Sequence, residues 1–203
     1  MEQILPGLSA SAPQPLPFAP SLTVRAFRLE RPAGDLVVYG AETLTDPGEV
    51  AGRYFNHWHE AMFAGDASPT FVHERDRDAA AERTTVDGTF SERSTLDGDF
   101  ELIPIPGHTP GATAFLWDSG EHRMLFTGDS VFLDDGEWVA AIVGGSDRAA
   151  YVESLELLRG LEFDVLVPWA ATAGRPPYAV TDVIDARRRL GAIADRLRRG
   201  ERS

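Results

Sequence analysis

Asn56-His57-Trp58-His59-Glu60-Ala61-Met62, Pro106-Gly107-His108-Thr109-Pro110-Gly111 and Phe126-Thr127-Gly128-Asp129-Ser130 are the stretches on which the reading of this chain turns. The first offers two histidines at i and i+2. On an extended segment such residues point to the same side, so both imidazoles can reach one ion. The second holds His108 between two Pro/Gly pairs, a turn stiff enough to fix one ring. The third puts Asp129 just after the apolar run Met124–Gly128. Its carboxylate is expected to emerge at a strand end, where sites in open sheets tend to lie. Three His and one Asp suit a catalytic zinc site, which keeps one position for water.

This order of motifs resembles the metallo-β-lactamase fold superfamily, glyoxalase II-like metal hydrolases included, over roughly Leu22 to Tyr178. The resemblance implies a four-layer α/β/β/α sandwich; pattern alone gives α/β or α+β. The family motif runs His-x-His-x-Asp-His, and here Ala61 and Met62 fill its last two positions. The family also has Pro-Gly-His-Gly after a late strand. Val167-Pro168-Trp169-Ala170-Ala171 stands there, with Ala170 at the His position. All three absent ligands belong to the family's second metal site. The resemblance therefore implies one divalent metal, held by His57, His59, His108 and Asp129, with zinc expected and iron as the alternative.

The implied function is a mononuclear metal-dependent hydrolase with metal-bound water as nucleophile, acting on a small molecule the sequence does not name. Two readings stand beside it. One is a non-haem iron dioxygenase-like enzyme using His57, His108 and Asp129 as a two-His-one-carboxylate face. The other is a non-catalytic ligand-binding or scaffold descendant of the fold. In the family, the Asp replaced here by Ala61 commonly orients or deprotonates the attacking water. Asp129 and Glu60 are the catalytic candidates, although a one-residue shift turns Glu60 elsewhere, and a charged residue in a first helical turn is the plainer reading. Trp58, Met62 and Trp169 are expected to line or plug the cleft as substrate contacts.

Composition sets limits. The chain has 203 residues, 43% apolar and 25% charged, an ordinary globular mix. There is no apolar stretch of about 18 residues, so no membrane span is expected. Residues 1–20 carry Pro at 6, 13, 15, 17 and 20 and lack the pattern of a secretory signal. They are expected as a Pro-rich arm before a single domain over 21–203. A net charge of −13 argues against nucleic-acid binding, which needs a basic surface. With no Cys, thiol catalysis and thiolate metal sites are excluded, and a cytoplasmic location is the default expectation. All 19 basic residues are Arg, which excludes Schiff-base chemistry by a lysine amine. The Arg-rich C-terminus reads as a solvated helix face. Nothing in the sequence fixes an oligomeric state.

Along the chain, Leu22–Leu29 and Leu36–Gly40 read as strands of a hairpin, and Asp46-Pro47-Gly48-Glu49 as the start of a short helix. Short strands are expected at Arg53–Asn56 and Thr70–His73, then a helical stretch near Glu74–Arg83. Phe100–Ile105, Ala112–Trp117, Arg123–Thr127, Trp138–Val143 and Val165–Pro168 follow as strands. Asp147 caps a helix running to about Leu161. Thr181–Arg199 closes the chain as an amphipathic helix with Val183, Ile184, Leu190, Ile193 and Leu197 on one stripe.

Overall fold

The computed structural model describes residues 1–64 and 68–201. The first strands are β1 (Glu2–Leu5), β2 (Leu8–Ala10), β3 (Gln14–Leu16), β4 (Ala19–Val24), β5 (Phe27–Leu29) and β6 (Leu36–Val38). Then come β7 (Gly52–Tyr54), a 3-10 turn over Trp58–Phe63, β8 (Thr70–His73), a 3-10 turn over Glu74–Asp76 and α1 (Arg77–Ala81). The central run is β9 (Gly88–Phe90), β10 (Ser94–Leu96), β11 (Phe100–Pro104), β12 (Thr113–Asp118), β13 (Arg123–Gly128), β14 (Phe132–Asp134) and β15 (Glu137–Val139). The chain finishes with α2 (Arg148–Arg159), β16 (Val165–Pro168), β17 (Ala170–Thr172), β18 (Ala179–Val180) and α3 (Val183–Arg198).

Period-two alternation builds two cores around one sheet. In β12 and β13, Phe115, Trp117, Met124 and Phe126 face one side. Ala114, Leu116 and Leu125 face the other. Val165 and Val167 against Leu166 repeat the pattern in β16. Strands buried on both faces read as nearly continuous apolar runs, as these do. The first side meets the sheet β1-β2-β5-β6-β7-β8-β9 through Leu8, Phe27, Leu29 and Tyr54. The second side of the sheet β10-β11-β12-β13-β16-β18 is covered by α2 and α3, through Tyr151, Leu155, Leu158, Leu190, Ile193 and Leu197. On the outer face of the first sheet, Phe55 and Val72 pack with Ala61 and with Ala80 of α1. The result is the four-layer α/β/β/α sandwich that the resemblance implied. A smaller sheet, β15-β14-β17-β4-β3, flanks it. Among the described residues no helix is long and apolar enough to cross a membrane.

Several local expectations are corrected. Residues 1–20 are not a separate arm: they supply β1, β2, β3 and the start of β4, and Leu8 and Ala10 are fully buried. Pro15 is accommodated because β3 is the outer strand of its sheet, where a missing N–H costs no ladder bond. Asp46–Glu49 forms no helix; Gly48 turns there with φ +71°, left-handed geometry. Of the expected stripe of α3, Leu190, Ile193 and Leu197 are buried, joined by Ala186 and Ala194, whereas Ile184 is 81% exposed.

One contact ties the two large sheets together at the end that carries the candidate ligands. Tyr39, just past β6, has φ +72°, uncommon for a bulky residue. Its buried hydroxyl donates to Val167 O at 2.7 Å and accepts the Gly128 N–H at 2.9 Å. Tyr39→Phe leaves a buried amide without its acceptor, so we expect a stability loss of about 1–3 kcal/mol in urea unfolding. A loss below about 0.5 kcal/mol, the usual size for a neutral surface change, would show that the bridge contributes little.

Candidate metal centre

The candidate ligand segments leave the C-terminal ends of three strands. His57 and His59 follow β7, His108 follows β11 and Asp129 follows β13. His57 is extended (φ −156°, ψ 163°), but Trp58 opens the 3-10 turn, so the His pair is not carried on a strand. The two rings nevertheless converge, with centroids 5.0 Å apart. His59 Nδ1 lies 3.1 Å from His108 Nε2. Asp129 Oδ2 lies 3.6 Å from His57 Nε2 and 3.9 Å from His108 Nε2. One ligand atom from each of the four residues falls within 4.8 Å of all the others. Tetrahedral zinc with bonds of about 2.0–2.1 Å holds its ligand atoms about 3.3 Å apart, so small side-chain shifts suffice.

Burial adjusts the donors. His57 is fully buried and its imidazole is pushed well below the usual range, by desolvation first and His59 second. His108 falls to about 3, from desolvation and then its neighbour His57. Desolvation also lowers His59, opposed by Asp129. Neutral imidazole is the form that binds a metal. His108 Nδ1 lies 2.8 Å from Ala141 O, which assigns the proton to Nδ1 and leaves Nε2 as ligand. Desolvation raises the Asp129 carboxyl, so a cation is the partner that would keep it ionised there. Asp129 Oδ1 and both His57 ring nitrogens are buried without a hydrogen bond among the described residues. Orphaned polar atoms are costly in an interior, and these gather where four ligands meet. The residues fit a metal ion.

Three groups that the sequence reading missed hold this geometry. Asp76 is 1% exposed. Its Oδ2 accepts from Thr109 Oγ1 at 2.6 Å and from the Trp58 N–H at 3.1 Å, and its Oδ1 accepts the Gly111 N–H at 2.8 Å. One carboxylate thus joins the turn of His57 and His59 to the turn of His108. Gly111 is required there, because a Cβ would sit 2.6 Å from Asp76 Cγ. Behind Asp129, the Tyr151 hydroxyl donates to Ser130 O at 2.9 Å. Asn56 donates from Nδ2 to Thr113 O. None of the three carries a motif; Asp76 looks like one more charge in His73-Glu74-Arg75-Asp76.

Glu60 lies behind His57 and not before the ligands. Its Oε1 accepts the N–H groups of Asn56 (3.1 Å) and His57 (3.3 Å) and stands 3.0 Å from His57 Nδ1. Burial pushes its carboxyl well above the usual range, with Asp129 adding to the effect. Trp58 is half-buried with its ring 4.0 Å from that of His59. Trp169 is only 2% exposed, donates Nε1–H to Gly40 O at 2.8 Å, and packs 5.5 Å from His57 and 5.9 Å from Phe63. Met62 and Ala170 pack in the core between the large sheets, and Ala61 in the outer one. His73 and His122 stay outside the cluster: His73 Nδ1 accepts the Arg75 N–H and His122 pairs with Asp164.

The sequence profile of the metallo-beta-lactamase superfamily matches residues 37–170, which include every one of these ligands. The chain belongs to that superfamily. It is similar in structure to a metallo-beta-lactamase from Pontibacter korlensis, with a TM-score of 0.72, 16% identity and 97% of each chain covered. It is also similar to FIM-1 from Pseudomonas aeruginosa in its mono-zinc form, with a TM-score of 0.72, 14% identity, and 96% of this chain and 93% of that one covered. A metallo-beta-lactamase family protein from Thermus thermophilus gives a TM-score of 0.63 at 19% identity, over 97% of this chain and 81% of that one. None of the curated proteins matches the chain.

Asp76→Ala leaves three donors without an acceptor, two of them backbone amides, and we expect a stability loss of at least ~3 kcal/mol in urea unfolding. Asp78→Ala, at a 99% exposed side chain, should change little. Equal unfolding midpoints for the two variants would contradict the clamp.

Proposed function

We propose that the protein is a mononuclear metal-dependent hydrolase of a small molecule, with zinc bound by His57, His59, His108 and Asp129. The observation that carries this reading is one complete ligand set beside second-site positions filled by packed apolar side chains. The mono-zinc form of FIM-1 supports the compatibility of this fold with a single metal. A zinc ion so held supplies a Lewis acid and a water acidic enough to be a nucleophile near neutral pH.

The protein's own groups do the rest. His108, fixed through Nδ1, presents Nε2. Asp129 turns Oδ2 toward the histidines, where it would be a ligand, and its Oδ1 is buried without a hydrogen bond among the described residues. Trp58, beside His59 at the edge of the cluster, offers the substrate an apolar wall. Trp169, Met62 and Ala61 exclude water from the side where a second metal and its carboxylate would act. Without that carboxylate, turnover is expected to fall below that of a two-metal site, since general-base help is worth about 10²–10⁴ in rate.

Elemental analysis after purification without added metal, repeated after zinc reconstitution, should give one transition metal per chain. His57→Ala and His108→Ala should each abolish binding. Two metals per chain would reject the mononuclear reading. Iron instead of zinc would favour oxygen chemistry on the two-His-one-carboxylate face. No metal at all would favour a non-catalytic ligand-binding descendant.

A companion series tests the carboxylate. Asp129→Asn should weaken zinc retention against a chelator, whereas Asp134→Asn and Asp135→Asn in the following hairpin should not. Equal retention in all three variants would remove Asp129 from the ligand set.

A further inference from the structure

Glu60 has no counterpart among the ligands, yet it is the most deeply placed carboxylate at the centre, with 0% exposure. Its position is fixed from three sides. Oε1 takes two backbone N–H groups, from Asn56 and His57, which anchors the carboxylate to the turn that begins the ligand segment. The backbone of Glu60 presses on Gly40, where a Cβ would come within 2.4 Å of Glu60 O. The same Oε1 stands 3.0 Å from His57 Nδ1, bent away from a straight hydrogen bond. Among the described residues His57 Nδ1 makes no well-aligned hydrogen bond, the Glu60 N–H being the other polar group beside it, and Nε2 faces Asp129 and the remaining ligands. Trp169 packs edge-to-face against the same ring at 5.5 Å, so the imidazole has little freedom to turn.

We propose that Glu60 is a positioning residue for the metal, holding the Nδ1 proton of His57 so that Nε2 is the ligand atom. The inference rests on the metal-site reading above. A carboxylate behind a ligating imidazole fixes its tautomer and orientation and raises its basicity, and losing such a partner typically lowers metal affinity about 10–100-fold. Glu60 therefore acts through His57 on the ion, and not on a substrate.

Glu60→Gln separates this role from a structural one. Glutamine keeps an acceptor oxygen for the N–H groups of Asn56 and His57 but is a weaker acceptor than a carboxylate for the Nδ1 proton. Zinc affinity is measured by competition with a chromophoric chelator, beside the melting temperature without metal. We expect the variant to melt near wild type and to bind zinc about 10–100-fold more weakly. Wild-type affinity in a folded Glu60→Gln protein would overturn the proposal while leaving the metal site intact. Wild-type protein that takes up no zinc would overturn both. A second readout needs no variant: long-range ¹H–¹⁵N spectra of the zinc-loaded wild type should show His57 protonated at Nδ1 and ligated through Nε2. The opposite assignment would overturn the proposal even if Glu60→Gln fails to fold.

Discussion

The carboxylate of Asp76 is the constraint on which the rest of the centre depends. The two ligand turns belong to different sheets, and the packed core between those sheets does not by itself set the distance between two loops at its rim. Asp76 does so with a hydrogen bond to Trp58 on one turn and two to Thr109 and Gly111 on the other. Those turns bring His59 Nδ1 to 3.1 Å from His108 Nε2. Charge-assisted bonds of this kind are roughly twice as strong as neutral ones, and in a site closed to solvent they hold a defined length. Tyr39 performs the matching task deeper down, where one hydroxyl links the strand of Val167 to the backbone just before Asp129.

Preorganisation has an electrostatic consequence. Three imidazoles and a carboxyl are gathered with little exposure, and burial disfavours the charged form of each. Such a cluster costs free energy in the isolated fold, because polar atoms are left without partners. A divalent cation reverses the balance: it replaces lost hydration with ligand bonds and gives the carboxylate its counter-charge. Ion binding and folding are then coupled, with the metal contributing stability in proportion to its affinity and concentration.

Much of this is legible in the chain. The strand Thr70–His73 reads residue for residue, because a β-branched and aromatic run sits between Pro69 and a charged stretch. The apolar runs in Ala112–Trp117 and Arg123–Thr127 mark the central strands, and the order of His57, His59, His108 and Asp129 marks residues that the fold brings together. Other features depend on tertiary context. Prolines at 13, 15, 17 and 20 suggest a loose arm, but Pro15 lies in the outer strand β3, which tolerates it, and Pro20 lies near the start of β4. Asp46-Pro47 looks like a helix start, yet no apolar stripe follows to be buried. Glu60 reads as a surface charge in a helical turn, since only the folded chain puts its carboxylate behind His57. Asp76 is hidden for the same reason: its three donors come from residues 18 to 35 positions away.

The positions where the resemblance places second-site ligands are part of the packing. Ala170 and Trp169 belong to the core between the large sheets and Ala61 to the outer one, so that side of the centre is filled with side chains and not merely short of donors. A single ion on the histidine side is the central claim. Anomalous diffraction at the zinc edge, from crystals grown with zinc in excess, tests it most directly. One peak is expected, bonded to His57 Nε2, His59, His108 Nε2 and Asp129. A second peak beside Ala61 and Ala170, or a peak that does not touch His57, would contradict it.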